Sequence, residues 1–149
     1  MPSLKTYHDD KNIYSVDMML AYLNTKGHPT ETVTLESLKQ QLETNVWGTH
    51  SPLDVVENMT KKKYSENAER INKADLSYPI IIYGRRNPII VDGYHRAAKS
   101  LLNKQPTLKA HIFDTQLMNK FILDKHLDYV KVHQHTPVST VLELWSKRF

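Results

Sequence analysis

An α+β domain is predicted by three features of this 149-residue chain. Residues 79–83 and 88–91 are β-branched runs, a short turn joins them, and segments of helical spacing lie before and after them. The expected architecture sets the hairpin 79–92 among covering helices.

The elements follow in order. Residues 16–23 carry Met19, Leu20 and Leu23 at helical spacing, and Gly27, His28 and Pro29 break the segment. A second helix is predicted over 35–44, where Leu35, Leu38 and Leu42 share a face. Residues 1–45 thus read as a helical lead-in. Ser51-Pro52-Leu53-Asp54 opens a third helix, with Ser51 as N-cap, Pro52 at the first position and Asp54 in the first turn, where negative charge is favoured. Lys61, Lys62 and Lys63 read as solvated surface, and 65–74 as a helix with Arg70 and Lys73 on one face. Gly84 and Asn87 serve the hairpin turn and expose Arg85 and Arg86 at its tip, where they are candidates for touching nucleic acid or an acidic partner. The helix 94–103 places Ala97, Ala98, Leu101 and Leu102 on one side. Beyond Phe113, Asp114 caps a helix reaching about residue 125, with Leu117, Phe121 and Ile122 inward. Thr136-Pro137 opens a last helix with an apolar stripe of Val138, Val141, Leu142 and Trp145. The core is then 46–113, followed by carboxy-terminal helices in 114–149.

Composition bounds the function. A chain of this length with 40% hydrophobic residues can bury one continuous core, so a single domain, 1–149, is expected. Twenty Lys and Arg against sixteen Asp and Glu give +4, which suits anionic ligands but falls short of a dedicated DNA binder. No run reaches the roughly 18 apolar residues of a membrane span, and the polar amino terminus does not read as a signal peptide. A cytoplasmic protein is expected, and the absence of cysteine fits a reducing compartment. His126, His133 and His135 have no cysteine beside them and no zinc-type spacing, so they do not predict a metal site.

The chemistry concentrates at Asp92-Gly93-Tyr94-His95-Arg96, where a strand runs into a glycine turn and then a helix. The first N–H groups of such a helix, near Tyr94, His95 and Arg96, lack intrahelical partners and carry the positive end of the macrodipole, an environment that suits phosphate. Gly93 has no Cβ and permits close approach to the main chain. The fork of Arg96 can grip two oxygens, and His95 can donate a hydrogen bond or move a proton near neutral pH. Asp92 can cap the helix, orient His95 or Arg96, or hold Mg2+. Tyr94 can stack on a ligand or pack on the sheet. The same residues also make an ordinary turn and helix start, so the motif leaves a binding and a structural reading side by side. Asp54 and Ser51 likewise either cap their helix or line the mouth of the pocket, and Arg70 and Lys73 can add cations to it.

The segment 78–112 resembles the core of the ParB/sulfiredoxin superfamily: Pro79-Ile-Ile-Ile-Tyr83, Gly84-Arg-Arg-Asn87, Pro88-Ile-Ile-Val91, Asp92-Gly-Tyr-His-Arg96, Ala97-Ala98, then Leu108-Lys-Ala-His-Ile-Phe113. The resemblance covers about a quarter of the chain and implies a ParB/sulfiredoxin-like α+β fold: a small mixed sheet, with the hairpin 79–92 and the strand 108–113 at its centre, covered by helices. Sulfiredoxins carry a catalytic cysteine immediately before the His-Arg pair, where this chain has Tyr94, and no cysteine occurs anywhere, so sulfinic-acid reduction is excluded. ParB proteins place a Glu-Arg-Arg type sequence at this turn and bind the phosphates of CTP. The His-Arg form here is more similar to the free serine kinases of the superfamily, whose turn reads Asp-Gly-His-His-Arg.

The resemblance implies a nucleotide, ATP, ADP or CTP with Mg2+, held by Gly93, Tyr94, His95 and Arg96, and a phosphotransferase acting on a small hydroxyl-bearing substrate or a nucleotide hydrolase. In that reading Asp92 orients the site or holds the metal, His95 binds phosphate or shuttles a proton, and Asp54 is the second carboxylate, acting as base toward the hydroxyl. The rival is a ParB-like switch associated with DNA, in which nucleotide binding controls formation of a homodimer. A ParB would continue into a helix-turn-helix domain, whereas 36 residues follow Phe113. Nuclease activity, also attached to the superfamily, lacks the carboxylate cluster that a two-metal site needs.

Overall fold

The computed structural model describes residues 4–123. In chain order these form β1 (Thr6–His8), β2 (Ile13–Ser15), α1 (Val16–Thr25), β3 (Glu31–Thr34), a 3-10 turn (Glu36–Leu38) running into α2 (Lys39–Leu42), α3 (Pro52–Glu57), a 3-10 turn (Lys62–Tyr64) leading into α4 (Ser65–Lys73), β4 (Ile80–Tyr83), β5 (Ile89–Asp92), α5 (Tyr94–Leu102), β6 (Thr107–Phe113) and α6 (Thr115–Asn119). The fold class is α+β with a small mixed sheet. The chain divides into two compact units, one spanning Pro29–Phe113 and the other drawn from the residues on either side. The stripe of Val138, Val141, Leu142 and Trp145 and the histidines His126, His133 and His135 lie outside the described residues.

In the flanking unit, β1 and β2 form an antiparallel pair. Ser15 then caps α1 by accepting from the Met18 N–H at 3.1 Å. Phe121 and Leu123 reach back to this strand, with the Ser15 N–H on the Phe121 carbonyl at 2.8 Å and the Leu123 N–H on the Ile13 carbonyl at 2.9 Å. Asp114 caps α6 through the Leu117 N–H at 2.8 Å, but the helix closes at Asn119, short of the expected residue 125.

The unit Pro29–Phe113 carries the sheet, ordered β3-β6-β4-β5. β4 and β6 run parallel at the centre, and β5 and β3 pair antiparallel on the outside. Alternation of Thr32, Val33 and Thr34 makes β3 a strand. The lead-in is therefore not wholly helical, since this short polar segment pairs with β6. The exposed side of β5 is covered by one side chain. Gln41 accepts from the Ile90 N–H at 2.5 Å and donates to the Pro88 carbonyl, standing in for a missing strand.

Helix α5 organises the unit because each of its faces has different work. Tyr94, Ala97 and Leu101 pack toward the sheet, in a cluster with Leu35, Leu38, Leu42, Ile80, Ile82, Ile90 and Ala110. Ala98 and Leu102 face the opposite way, into Val55, Ala68 and Ile71 of α3 and α4. Each large apolar side chain so buried contributes about 1.5–3 kcal/mol relative to exposure. Lys99 joins α4 to α5: its ammonium donates to the Asn72 carbonyl at 2.8 Å and the Ala74 carbonyl at 2.7 Å, at the negative end of α4. With the helix locked in this way, His95 points toward α4 and Arg96 toward the start of β4.

Candidate functional site

The glycine turn is built as its sequence suggests. β5 ends at Asp92, and Gly93 occupies the N-cap of α5 at φ +112°, with no side chain capping the helix. A Cβ at Gly93 would lie 2.5 Å from Ile80 Cγ2 and 2.8 Å from Ile80 Cβ, both in the buried sheet. The residue is therefore required twice, by its left-handed backbone and by its contact with β4. Gly93→Ala is expected to lose about 2 kcal/mol, read as a lowered urea midpoint, because the strained dihedral and the overpacking add.

Arg96 holds this turn against the entry to β4. One of its terminal nitrogens donates to the Pro79 carbonyl at 2.7 Å and the Tyr78 carbonyl at 3.2 Å, and the other to Asp92 Oδ2 at 3.0 Å. The fork expected to grip a ligand is thus largely committed to protein groups. Asp92, expected to cap, orient or hold a metal, orients Arg96. Tyr94 packs toward the sheet cluster.

His95 stands at the centre of a polar cluster that the sequence did not reveal. Its ring stacks on Trp47, with centroids 4.6 Å apart and planes 15° from parallel. Its Nε2 lies 2.9 Å from Asn67 Oδ1, and the Asn67 amide nitrogen lies 3.2 Å from His50 Nε2. In this arrangement His95 donates from Nε2, which leaves Nδ1 as its basic nitrogen, and Asn67 donates to His50. His50 meets the Tyr64 ring edge-on at 5.0 Å. A tight turn brings the pair into place: the Trp47 N–H bonds the His50 carbonyl at 3.2 Å, with Gly48 at φ +80° between them. These partners are 17 and 28 residues apart along the chain, so no local spacing announces them.

Histidine ordinarily titrates near 6.5. Burial, and then the Arg70 cation, pull His95 below that value, while Asp92 opposes them. The imidazole is neutral at pH 7. As pH falls the unfolded chain takes up this proton first, so the stability contribution is fully present above about pH 6.5 and is lost as pH falls through the folded-state value. In a Trp145→Phe background, Trp47 fluorescence should hold steady from about pH 8 to 6.5 and be quenched only below, as the stacked ring becomes imidazolium. His95→Gln should remove that step, and its persistence would place the titration elsewhere.

The remaining expected residues divide. Ser51 and Asp54 form a reciprocal capping box on α3: Asp54 accepts from the Ser51 N–H at 2.9 Å, and Ser51 Oγ accepts from the Asp54 N–H at 3.1 Å. The Ser51 backbone bond, above all, holds the Asp54 carboxyl below its ordinary range, which makes it a weak base. The carboxylate suggested as a general base is spent on a cap, although it lies within the field of His50. Arg70 faces His95 electrostatically and pairs with Glu66 at 3.4 Å on the surface. Lys73 is exposed and pairs with Glu69 at 2.7 Å. Of the two arginines at the hairpin tip, Arg85 is bound by both oxygens of Glu31, at 2.5 and 2.7 Å.

Among the described residues no group of three or more His, Cys, Asp or Glu gathers to hold a metal, and no helix is long and apolar enough to cross a membrane. Comparison with family models, curated proteins and solved structures gives no match.

Proposed function

We propose that the turn Asp92–Arg96 binds the phosphates of a nucleotide, ATP, ADP or CTP, and that the protein is a phosphotransferase acting on a small hydroxyl-bearing substrate, or a nucleotide hydrolase. The observation that carries this reading is the joining of a helix start with no side-chain cap at Gly93 to a half-buried, neutral histidine with a cation in its field. The order β4, β5, glycine turn, α5, β6 is also the order on which the ParB/sulfiredoxin resemblance rests.

The chain's own groups divide the work. The amides opening α5 cradle phosphate, helped by the macrodipole and by Arg70. Arg96 keeps the turn rigid, so the amides are oriented before ligand arrives, and preorganised donors are what stabilise charge in a transition state. Neutral His95 takes the proton of the attacking hydroxyl or water through Nδ1 as the new O–P bond forms and the bond to the leaving nucleotide breaks. Asn67 fixes the tautomer, and Trp47 covers one face of the ring. A Mg2+ ion carried by the nucleotide would need only one or two protein carboxylates, and Asp92 is the one at the turn; such an ion supplies charge neutralisation at the phosphates. This chemistry suits the cytoplasm, where nucleotide is abundant.

Calorimetric titration of ATP, ADP, CTP and GTP with Mg2+, followed by analysis of released or transferred phosphate, tests the reading. Binding with turnover supports it. Binding without turnover, accompanied by a change of oligomeric state, supports the switch instead, and no binding to folded protein removes both.

A further inference from the structure

His50 takes no part in the chemistry assigned to His95, yet its ring is held in the same cluster. We propose that His50 is a positioning residue: acting through the Asn67 amide, it fixes which ring nitrogen of His95 is bare. The catalytic consequence rests on the reading of His95 as the base, whereas the placement of the protons does not.

A primary amide has an acceptor at one end and donors at the other. Here the two ends are divided between two imidazoles: Asn67 Oδ1 lies 2.9 Å from His95 Nε2, and the Asn67 amide nitrogen lies 3.2 Å from His50 Nε2. The amide therefore imposes opposite states on the two rings. A neutral imidazole carries one proton. The carbonyl requires a donor, so His95 holds its proton on Nε2 and leaves Nδ1 bare. The amide N–H requires an acceptor, so His50 keeps Nε2 bare and holds its proton on Nδ1, the tautomer that free histidine disfavours. Turning the amide over would exchange the pattern, moving the His95 proton to Nδ1 and removing the base. The amide keeps its present sense only while residue 50 accepts.

The surrounding geometry keeps this chain of bonds taut. His50 is anchored by the backbone bond from the Trp47 N–H to its carbonyl at 3.2 Å, across Gly48, and its ring meets Tyr64 edge-on. Trp47, in the same turn, stacks on His95, so one turn locates both imidazoles. Asn67 belongs to α4, which Lys99 ties to α5, the helix that bears His95. With ring, amide and ring all held, the proton pattern is set by hydrogen-bonding roles alone.

The test is the two-bond 15N spectrum of the imidazoles in the ligand-free protein at about pH 8, above histidine's ordinary titration. Wild type should show His95 protonated on Nε2 and His50 on Nδ1. Asn67→Asp has acceptors at both ends, so His50 should gain a proton on Nε2 while His95 keeps its own. His50→Lys offers only donors, so Asn67 should turn over and the His95 proton should move to Nδ1. Nucleotide turnover of that variant should fall about 10²-fold with nucleotide affinity little changed. His50→Gln restores an acceptor and should recover both the His95 tautomer and most of the turnover, whereas a merely structural role would let the lysine and glutamine variants behave alike. The proposal is overturned if wild-type His50 carries its proton on Nε2, or if His95 has the same tautomer in His50→Lys as in wild type. Where His50→Lys fails to fold, the wild-type and Asn67→Asp spectra decide. The tautomers are read without nucleotide, so a protein that shows them but binds no nucleotide keeps the positioning of His95 and loses the phosphate reading.

Discussion

Arg96→Ala is expected to cost about 3 kcal/mol and to lower the Tm by about 10 °C in thermal unfolding followed by circular dichroism. The guanidinium makes three hydrogen bonds and ties Asp92, at the end of β5, to the Tyr78 and Pro79 carbonyls at the entry to β4. Its ion pair with Asp92 is 20% and 28% exposed on the two sides, so solvent screens it less than the Arg70–Glu66 pair, which is 62% and 81% exposed. Truncation also leaves Asp92 without its cation and two carbonyls without donors. Arg96→Lys keeps the charge but not the planar fork, so an intermediate loss is expected. A loss below about 1 kcal/mol for Arg96→Ala would mean that the network contributes little and that the guanidinium is available to a ligand.

His95→Gln is expected to lower nucleotide turnover by about 10²–10⁴-fold, the usual contribution of a positioned acid or base, with a smaller effect on nucleotide affinity. Glutamine can still hydrogen-bond Asn67, so the α4–α5 contact survives while the basic nitrogen is lost. Wild-type turnover should fall on the acid side as His95 takes up a proton, at a pH below histidine's ordinary value, in the direction set by its burial and by Arg70. Because Asp54 is held in its capping box, Asp54→Asn should affect turnover far less than His95→Gln; the reverse order would return the base to Asp54.

Most of the elements were legible because their signals are local. Ser51-Pro52-Leu53-Asp54 is a complete helix start in four residues, and the capping box is present. The β-branched runs around Gly84 and Asn87 became the hairpin, and the Gly93 turn and α5 fell where apolar spacing changes from strand to helix. What was not legible depends on pairing across the chain. β3 is four residues with two threonines, and only β6 makes it a strand. β1 and β2 are three residues each, too short for alternation to show. The segment 35–44 tightened into a 3-10 turn and a short helix, although Leu35, Leu38 and Leu42 all reached the core.

The site divides in the same way. Asp92, Gly93, His95 and Arg96 are contiguous and were visible, but their division of labour was not. Arg96 turned inward because Tyr78 and Pro79 offered carbonyls, and Ser51 and Asp54 turned to each other. Trp47 and His50 share the turn before α3 and Asn67 lies in α4, and only the packing of α3 and α4 on α5 brings them to His95.

The central claim is that phosphate binds at the amides opening α5, and the most direct measurement is a titration of the 15N-labelled protein with Mg2+-ATP and Mg2+-CTP, following the backbone signals of Gly93, Tyr94, His95 and Arg96. The account predicts saturable shifts at these residues, together with a shift of the Trp47 indole N–H through its stack on His95. If both nucleotides leave these signals unmoved in folded protein, the turn serves only to join β5 to α5, and the proposed function is wrong.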